Sequence, residues 1–147
     1  MTSAQLTTSA AMKQFLFGGY ATFTLVSKKT GARKTFQVTE APPRNLDERK
    51  GFFVKMLVGP DNTSDYKYLG FLYERAGTWG FKLNKTGWGA EAGAVIAWLL
   101  KQLQSPAVSS LDQVEFWHLG TCCRCGRDLT TPESIAAGIG PVCAGRM

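Results

Sequence analysis

The sequence predicts an α+β fold: a small antiparallel β-sheet with a packed helix, followed by a short cysteine-bearing tail. Two observations carry this. Between residues 18 and 83, apolar and polar residues alternate in short runs separated by Gly, Pro, Asn and Asp. The period then lengthens over 89–104, where Ala92, Val95, Ile96, Leu99 and Leu103 fall at helical spacing with Trp98 beside them. Three zones follow: a lead-in at 1–17, an α+β domain at 18–105, and a C-terminal module at 106–147.

The lead-in is polar and rich in Ser and Thr. A short helix is expected over 10–17, capped by Thr8 or Ser9. Strands are expected at 20–27 and 34–39, joined by the turn Lys29-Thr30-Gly31-Ala32, with Phe23, Leu25, Phe36 and Val38 inward. Ala41-Pro42-Pro43-Arg44 reads as a loop, because consecutive prolines cannot donate to a sheet ladder. Further strands are expected at 51–58, 66–73 and 78–83, the first two separated by the turn-forming run 59–65. The helix at 89–104 should cover one face of this sheet. Ser105 and Pro106 end it and open a linker.

Apolar residues make up 44% of the 147, enough for a buried core. No run of eighteen or more apolar residues is present, and the N-terminus does not read as a signal peptide. A cytoplasmic setting and no membrane partner are therefore expected. Net charge is +6 and uneven. Residues 1–50 hold eight Lys/Arg against three acids, 51–105 six against four, and 106–147 three against four. The positive field belongs to the front of the chain, which suits an anionic partner such as nucleic acid.

All four cysteines lie in the last twenty-six residues. In a reducing compartment, so tight a cluster points to metal rather than to disulfides. The spacing His118-x3-Cys122-x2-Cys125-x17-Cys143 offers three thiolates and one imidazole, the closed tetrahedral set of a single structural Zn2+. Gly126 lets the backbone fold beneath the ion. Cys123 lies between the paired cysteines and should point away, although a set of Cys122, Cys123, Cys125 and Cys143 without histidine is the alternative. Thr131, Pro132 and Glu133 look like a helix entry, and Gly138-Ile139-Gly140-Pro141 turns the chain back toward Cys143. On this reading the fold is the sheet-and-helix domain followed by a C-terminal single-zinc finger.

The elements Cys122-x2-Cys125-Gly126-Arg127, Pro132-Glu133-Ser134-Ile135 and Gly138-Ile139-Gly140-Pro141-x-Cys143, preceded by His118, resemble an uncharacterised zinc-finger family found in bacteriophage and in actinobacterial and other bacterial genomes. The resemblance covers about thirty residues. It implies a zinc site and a phage or mobile-element origin, with host cytoplasm as the compartment, but no activity.

Function has to be sought in the front domain. Lys28, Lys29, Arg33 and Lys34 flank the first hairpin tip, four cations in seven residues, and can meet phosphates. Arg44, Arg49 and Lys50 add charge in the next loop. Aromatics alternate with lysines later: Tyr66-Lys67-Tyr68, Tyr73, Trp79, Phe81-Lys82 and Trp88 after Lys85. On an exposed sheet face they would form a platform for unpaired bases, whereas on the inner face they are packing. Arg124 and Arg127 flank the knuckle, and Arg127 is read as a support for the metal site.

The expected function is thus a non-enzymatic accessory protein that binds nucleic acid, DNA or RNA, through a basic hairpin. The alternative is a protein–protein inhibitor of a host enzyme or defence complex, its basic surface docking on an acidic patch. No catalytic residue is expected. The one histidine is assigned to metal, so no Ser-His-Asp triad can form. Gly87-x-Gly89-x-x-Ala92 imitates a dinucleotide fingerprint, but its surroundings read as an antiparallel meander, and small residues packing helix on sheet explain it better.

Overall fold

The computed structural model describes residues 4–41, 51–61, 64–105, 113–129 and 132–140. Arg44, Arg49, Lys50, Thr131 and Cys143 lie outside the described residues. The elements run β1 (Ala4–Leu6), α1 (Ser9–Leu16), β2 (Tyr20–Ser27), β3 (Arg33–Glu40), β4 (Gly51–Leu57), β5 (Tyr66–Arg75), β6 (Thr78–Leu83), α2 (Ala90–Gln104), β7 (Val114–His118) and α3 (Pro132–Ala137).

The strands form one seven-stranded sheet in the order β1-β7-β2-β3-β4-β5-β6. Every pairing is antiparallel. The architecture is mainly antiparallel sheet with a few helices, compatible with the α+β expectation. Five strands and the long helix stand where the sequence put them. The two other strands did not declare themselves. β1 comes from the lead-in and β7 from the C-terminal segment, so the three-zone division runs through a continuous sheet. Among the described residues, the fingerprint at 87–92 has no parallel strand beside it, and Gly87 and Gly89 hold turn conformations at φ 78° and 72°.

Period-2 alternation sorts the side chains. Inward go Phe23 and Leu25 of β2, Phe36 and Val38 of β3, Phe52 and Val54 of β4, Leu72 of β5 and Phe116 of β7, all buried. Phe23 and Phe116, neighbours across β2 and β7, stack at 4.6 Å. α1 and α2 lie on this side. Thr8 caps α1 by accepting the Ala11 N–H at 3.2 Å, and Met12, Phe15 and Leu16 form its buried stripe. The Phe15 ring sits edge-on to Phe116 at 5.8 Å. α2 buries Ala92, Gly93, Ile96, Leu99, Leu100 and Leu103. A Cβ at Gly93 would meet Leu83 at 2.9 Å, so the small residue lets helix and sheet close on each other. At the far end of α2, the Gln104 amide accepts the Trp79 N–H at 2.8 Å and donates to the Trp79 carbonyl at 3.0 Å.

The opposite sheet face carries neither α1 nor α2. There β5 presents Tyr66, Tyr68, Phe71 and Tyr73, β4 presents Phe53 and Lys55, and β7 presents Trp117, as the pairing register requires. Among the described residues, no helix is long and apolar enough to cross a membrane.

Candidate metal centre and nucleic-acid interface

β7 delivers the chain into the cysteine turn. Thr121 and Asp128 bridge antiparallel. The Cys122 N–H donates to Arg127 O at 2.8 Å, the Gly126 N–H to Cys122 O at 3.0 Å, and the Leu129 N–H to Gly120 O at 2.8 Å. Gly126 takes φ 75°, which folds the loop back on itself. These bonds are local and follow from the short Cys-x2-Cys-Gly spacing.

Within the turn, the Cys122 sulfur is a focus of donors. It accepts the backbone N–H of Arg124 at 3.4 Å and of Gly140 at 3.3 Å, and it is hydrogen-bonded with Cys125 as well. Burial pushes this thiol up. The backbone donors of Gly140, Cys125 and Arg124, with the Cys125 side chain, outweigh burial and hold it at about 7. Backbone N–H groups directed at a sulfur favour its thiolate, the form that binds metal. The Gly140 contact also brings the chain leaving α3 onto Cys122.

Cys123 is turned toward Gly18. It is fully buried, its N–H donates to Gly138 O at 2.9 Å, and its carbonyl accepts the Tyr20 N–H at 2.7 Å. Its sulfur lies where a Cβ on Gly18 would be 2.7 Å away. It packs the turn onto the start of β2, so Cys122, Cys123 and Cys125 do not converge on one point.

His118 closes β7. It is fully buried on the inner face, stacked on Phe15 at 5.6 Å. Nδ1 accepts the Gly120 N–H at 3.0 Å, and Nε2 is bonded to the Ile135 carbonyl of α3. Burial pulls its pKa down, opposed by the Ile135 carbonyl. Because Nδ1 accepts an N–H and Nε2 meets a carbonyl, this geometry places the proton on Nε2, and both nitrogens have backbone partners. Among the described residues, no group of three His, Cys, Asp or Glu side chains stands close enough to hold a metal ion. The structure brings Cys122 and Cys125 together, while both His118 ring nitrogens face backbone groups.

The cationic hairpin forms as expected. The Gly31 N–H donates to Ser27 O at 2.7 Å and the Ser27 N–H to Ala32 O at 2.9 Å, which exposes Lys28 and Lys29 at the tip. Arg33 and Lys34 follow at the start of β3, and strand alternation sends them to opposite faces. Arg33 joins the face opposite α1 and α2. Lys34 turns toward α2, where with Lys29, Leu25, Val95 and Trp98 it lines a hollow of about 380 Å3.

The later aromatics divide the same way. Tyr66, Tyr68 and Tyr73 face outward. Trp79 and Phe81 face the helices, Trp79 stacking on Phe17 at 4.6 Å. Trp88 packs beneath the Lys67 ammonium at 4.4 Å. Sequence reasoning missed Phe53 and Trp117 as outward aromatics. Phe53 carried a usable signal, its odd position between the inward Phe52 and Val54. Arg124 and Arg127 are exposed beside the turn, and Arg127 supports it through its carbonyl.

No curated protein and no solved structure matches the chain. Residues 115–147, the segment that holds His118 and all four cysteines, match the model of DUF6011, described as a family of unknown function.

Proposed function

We propose that this protein is a non-enzymatic, nucleic-acid-binding accessory protein of phage or mobile-element type, acting in the host cytoplasm, with its C-terminal turn held by one structural zinc ion. The observation that carries the binding reading is the projecting hairpin tip. Lys28 and Lys29 are exposed there, with Arg33 and Lys34 immediately behind them. Cations so placed neutralise phosphates without needing a defined sequence.

The zinc reading is supported by donor chemistry. The Cys122 sulfur accepts the backbone N–H groups of Arg124 and Gly140, and Cys125 is bonded to it. Three thiolates and one further ligand would satisfy a closed site, leaving the ion a purely structural role. For His118 to complete the tetrahedron, one ring nitrogen must exchange its backbone partner for the ion.

The test of binding is a salt titration followed by fluorescence anisotropy on labelled DNA and RNA. Wild type should bind, with log K falling by about 0.7–0.9 per phosphate neutralised for each unit of log salt. Reversal of Lys28, Lys29, Arg33 and Lys34 to Glu should abolish binding while leaving the thermal unfolding cooperative. Wild-type and reversed proteins binding alike would remove the hairpin from the interface.

A further inference from the structure

The sheet face opposite α1 and α2 is the largest feature that the hairpin reading leaves unused. Its rows follow from the register. Lys55 of β4 lies across from Tyr68 of β5, Phe53 from Phe71, and Phe71 in turn from Lys82 of β6. Phe53, Tyr68 and Tyr73 remain 39%, 43% and 39% exposed, unusual values for large aromatics in the middle of a sheet. Phe53 stands edge-on to Tyr68 at 6.3 Å and to Phe71 at 5.6 Å.

Two glycines show how the rings lie. A Cβ at Gly51 would be 2.1 Å from the Phe71 ring, and one at Gly80 would be 2.7 Å from the Tyr73 ring. These rings lean across the neighbouring strand, over positions that lack a side chain. Such rings lie down on the sheet rather than stand up from it, and Tyr73 stays 39% exposed.

At the other end of the face, Trp117 of β7 borders a hollow of about 430 Å3 with Arg33, Leu119, Thr24 and Thr35. The two threonine hydroxyls are 2.7 Å apart and bonded to each other. An indole wall, a guanidinium and two hydroxyls suit a planar heterocycle attached to a phosphate. From β7 to β5 the face spans four strand spacings, roughly 19 Å.

Charge says which occupant fits. By alternation, the described strands send Arg33, Lys55, Arg75 and Lys82 to this face. Of their acids, Glu40 and Glu74 fall on the other side. Glu115 falls on this one and accepts the Trp117 indole N–H at 2.9 Å. The face is thus aromatic and net positive. An apolar protein partner would meet four cations to desolvate, while duplex nucleic acid would offer phosphates but hide its base faces from the rings. A single strand offers phosphates and bare bases together.

We propose that this face binds single-stranded nucleic acid, stacking unpaired bases on Phe53, Tyr68 and Trp117 and meeting phosphates with Arg33 and Lys55. The inference rests on the nucleic-acid reading above and specifies its strand type and its contact surface. The hairpin tip then extends the phosphate track beyond the rings.

The experiment compares a short oligothymidine and oligouridine with a duplex of matched length, by anisotropy across a salt series. Wild type should prefer the single strands by about tenfold or more, and binding should quench tyrosine and tryptophan fluorescence. Phe53→Ala and Tyr68→Ala should each weaken single-strand binding by about tenfold, with the salt slope unchanged, because stacking releases no counterions. Tyr68→Phe should restore wild-type affinity. Circular dichroism confirms that these exposed substitutions leave the fold intact.

Equal affinity for duplex and single strand, lost on reversing Lys28 and Lys29 but kept in Tyr68→Ala, would overturn the stacking face and leave the hairpin reading standing. No binding to any nucleic acid at low salt would overturn both. A wild-type dimer that Tyr68→Ala converts to monomer, or a protein partner displaced by the same substitution, would also overturn the single-strand assignment.

Discussion

Neighbouring residues in the cysteine turn have separate duties. Cys122 gathers N–H donors from Arg124, Cys125 and Gly140, while Cys123 turns to pack against Gly18. The Cys122–Cys125 pairing was legible from sequence because a two-residue spacer and Gly126 fix it within one turn. The setting of His118 was not. Its partners are a backbone N–H two residues on and a carbonyl seventeen residues on, and only the docking of α3 brings the second within reach. Substitution separates the two kinds of residue. Cys125→Ser or Cys143→Ser should lose the ion, measured as zinc per protein by elemental analysis; a full equivalent in both variants would refute the metal assignment. His118→Ala should cost about 2–5 kcal/mol in denaturant unfolding even after chelation, because it leaves buried backbone groups unpaired. A purely ligating histidine would cost nothing once the metal is gone. His118→Gln decides the fourth arm: loss of the ion keeps the imidazole in the set, and retention gives the position to another ligand.

At the scale of elements, α2 and the five long strands were readable because each repeats its own period over several turns or pairs. β1 is three residues long, and β7 spans only five, Val114–His118, with two of them polar or charged beyond its apolar core. A segment that short has no periodicity to recognise, and it becomes a strand because β2 is there to pair with it. The hairpin makes the complementary point. Its cations were visible as a cluster, yet alternation divides Arg33 from Lys34, and a linear sequence does not display which face each will join. The lock between α2 and β6 was equally hidden. Gln104 mimics a peptide group against Trp79, closing the free edge of β6 at that residue. Gln104→Ala should destabilise by about 1–3 kcal/mol, since it strands both Trp79 backbone groups in a half-buried site. Thermal or urea unfolding measures this directly, and an unchanged midpoint would show that water replaces the amide without loss.

Taken whole, the molecule is tied together by a strand from late in the chain. β7 lies between β1 and β2, so its Phe116 completes the aromatic layer formed by Phe15 and Phe23. A chain ending at residue 105 would lose that strand and bare Phe23 and β2 as a long apolar edge. Such a truncation should aggregate, or unfold without a cooperative transition, by calorimetry and size-exclusion chromatography. A well-folded monomer would show that the front segment is a domain in its own right.

Sequence by itself determined the class of fold, the order of the long strands, the span of α2 and the proximity of Cys122 to Cys125. All of these rest on interactions between residues close in the chain, through period, turn chemistry or capping. Tertiary structure decided the rest: the place of β1 and β7 in the sheet, the burial of His118, and the division of the aromatics into a packed face and an open one. Those outcomes depend on which distant segments meet, and on which side of the sheet the helices dock.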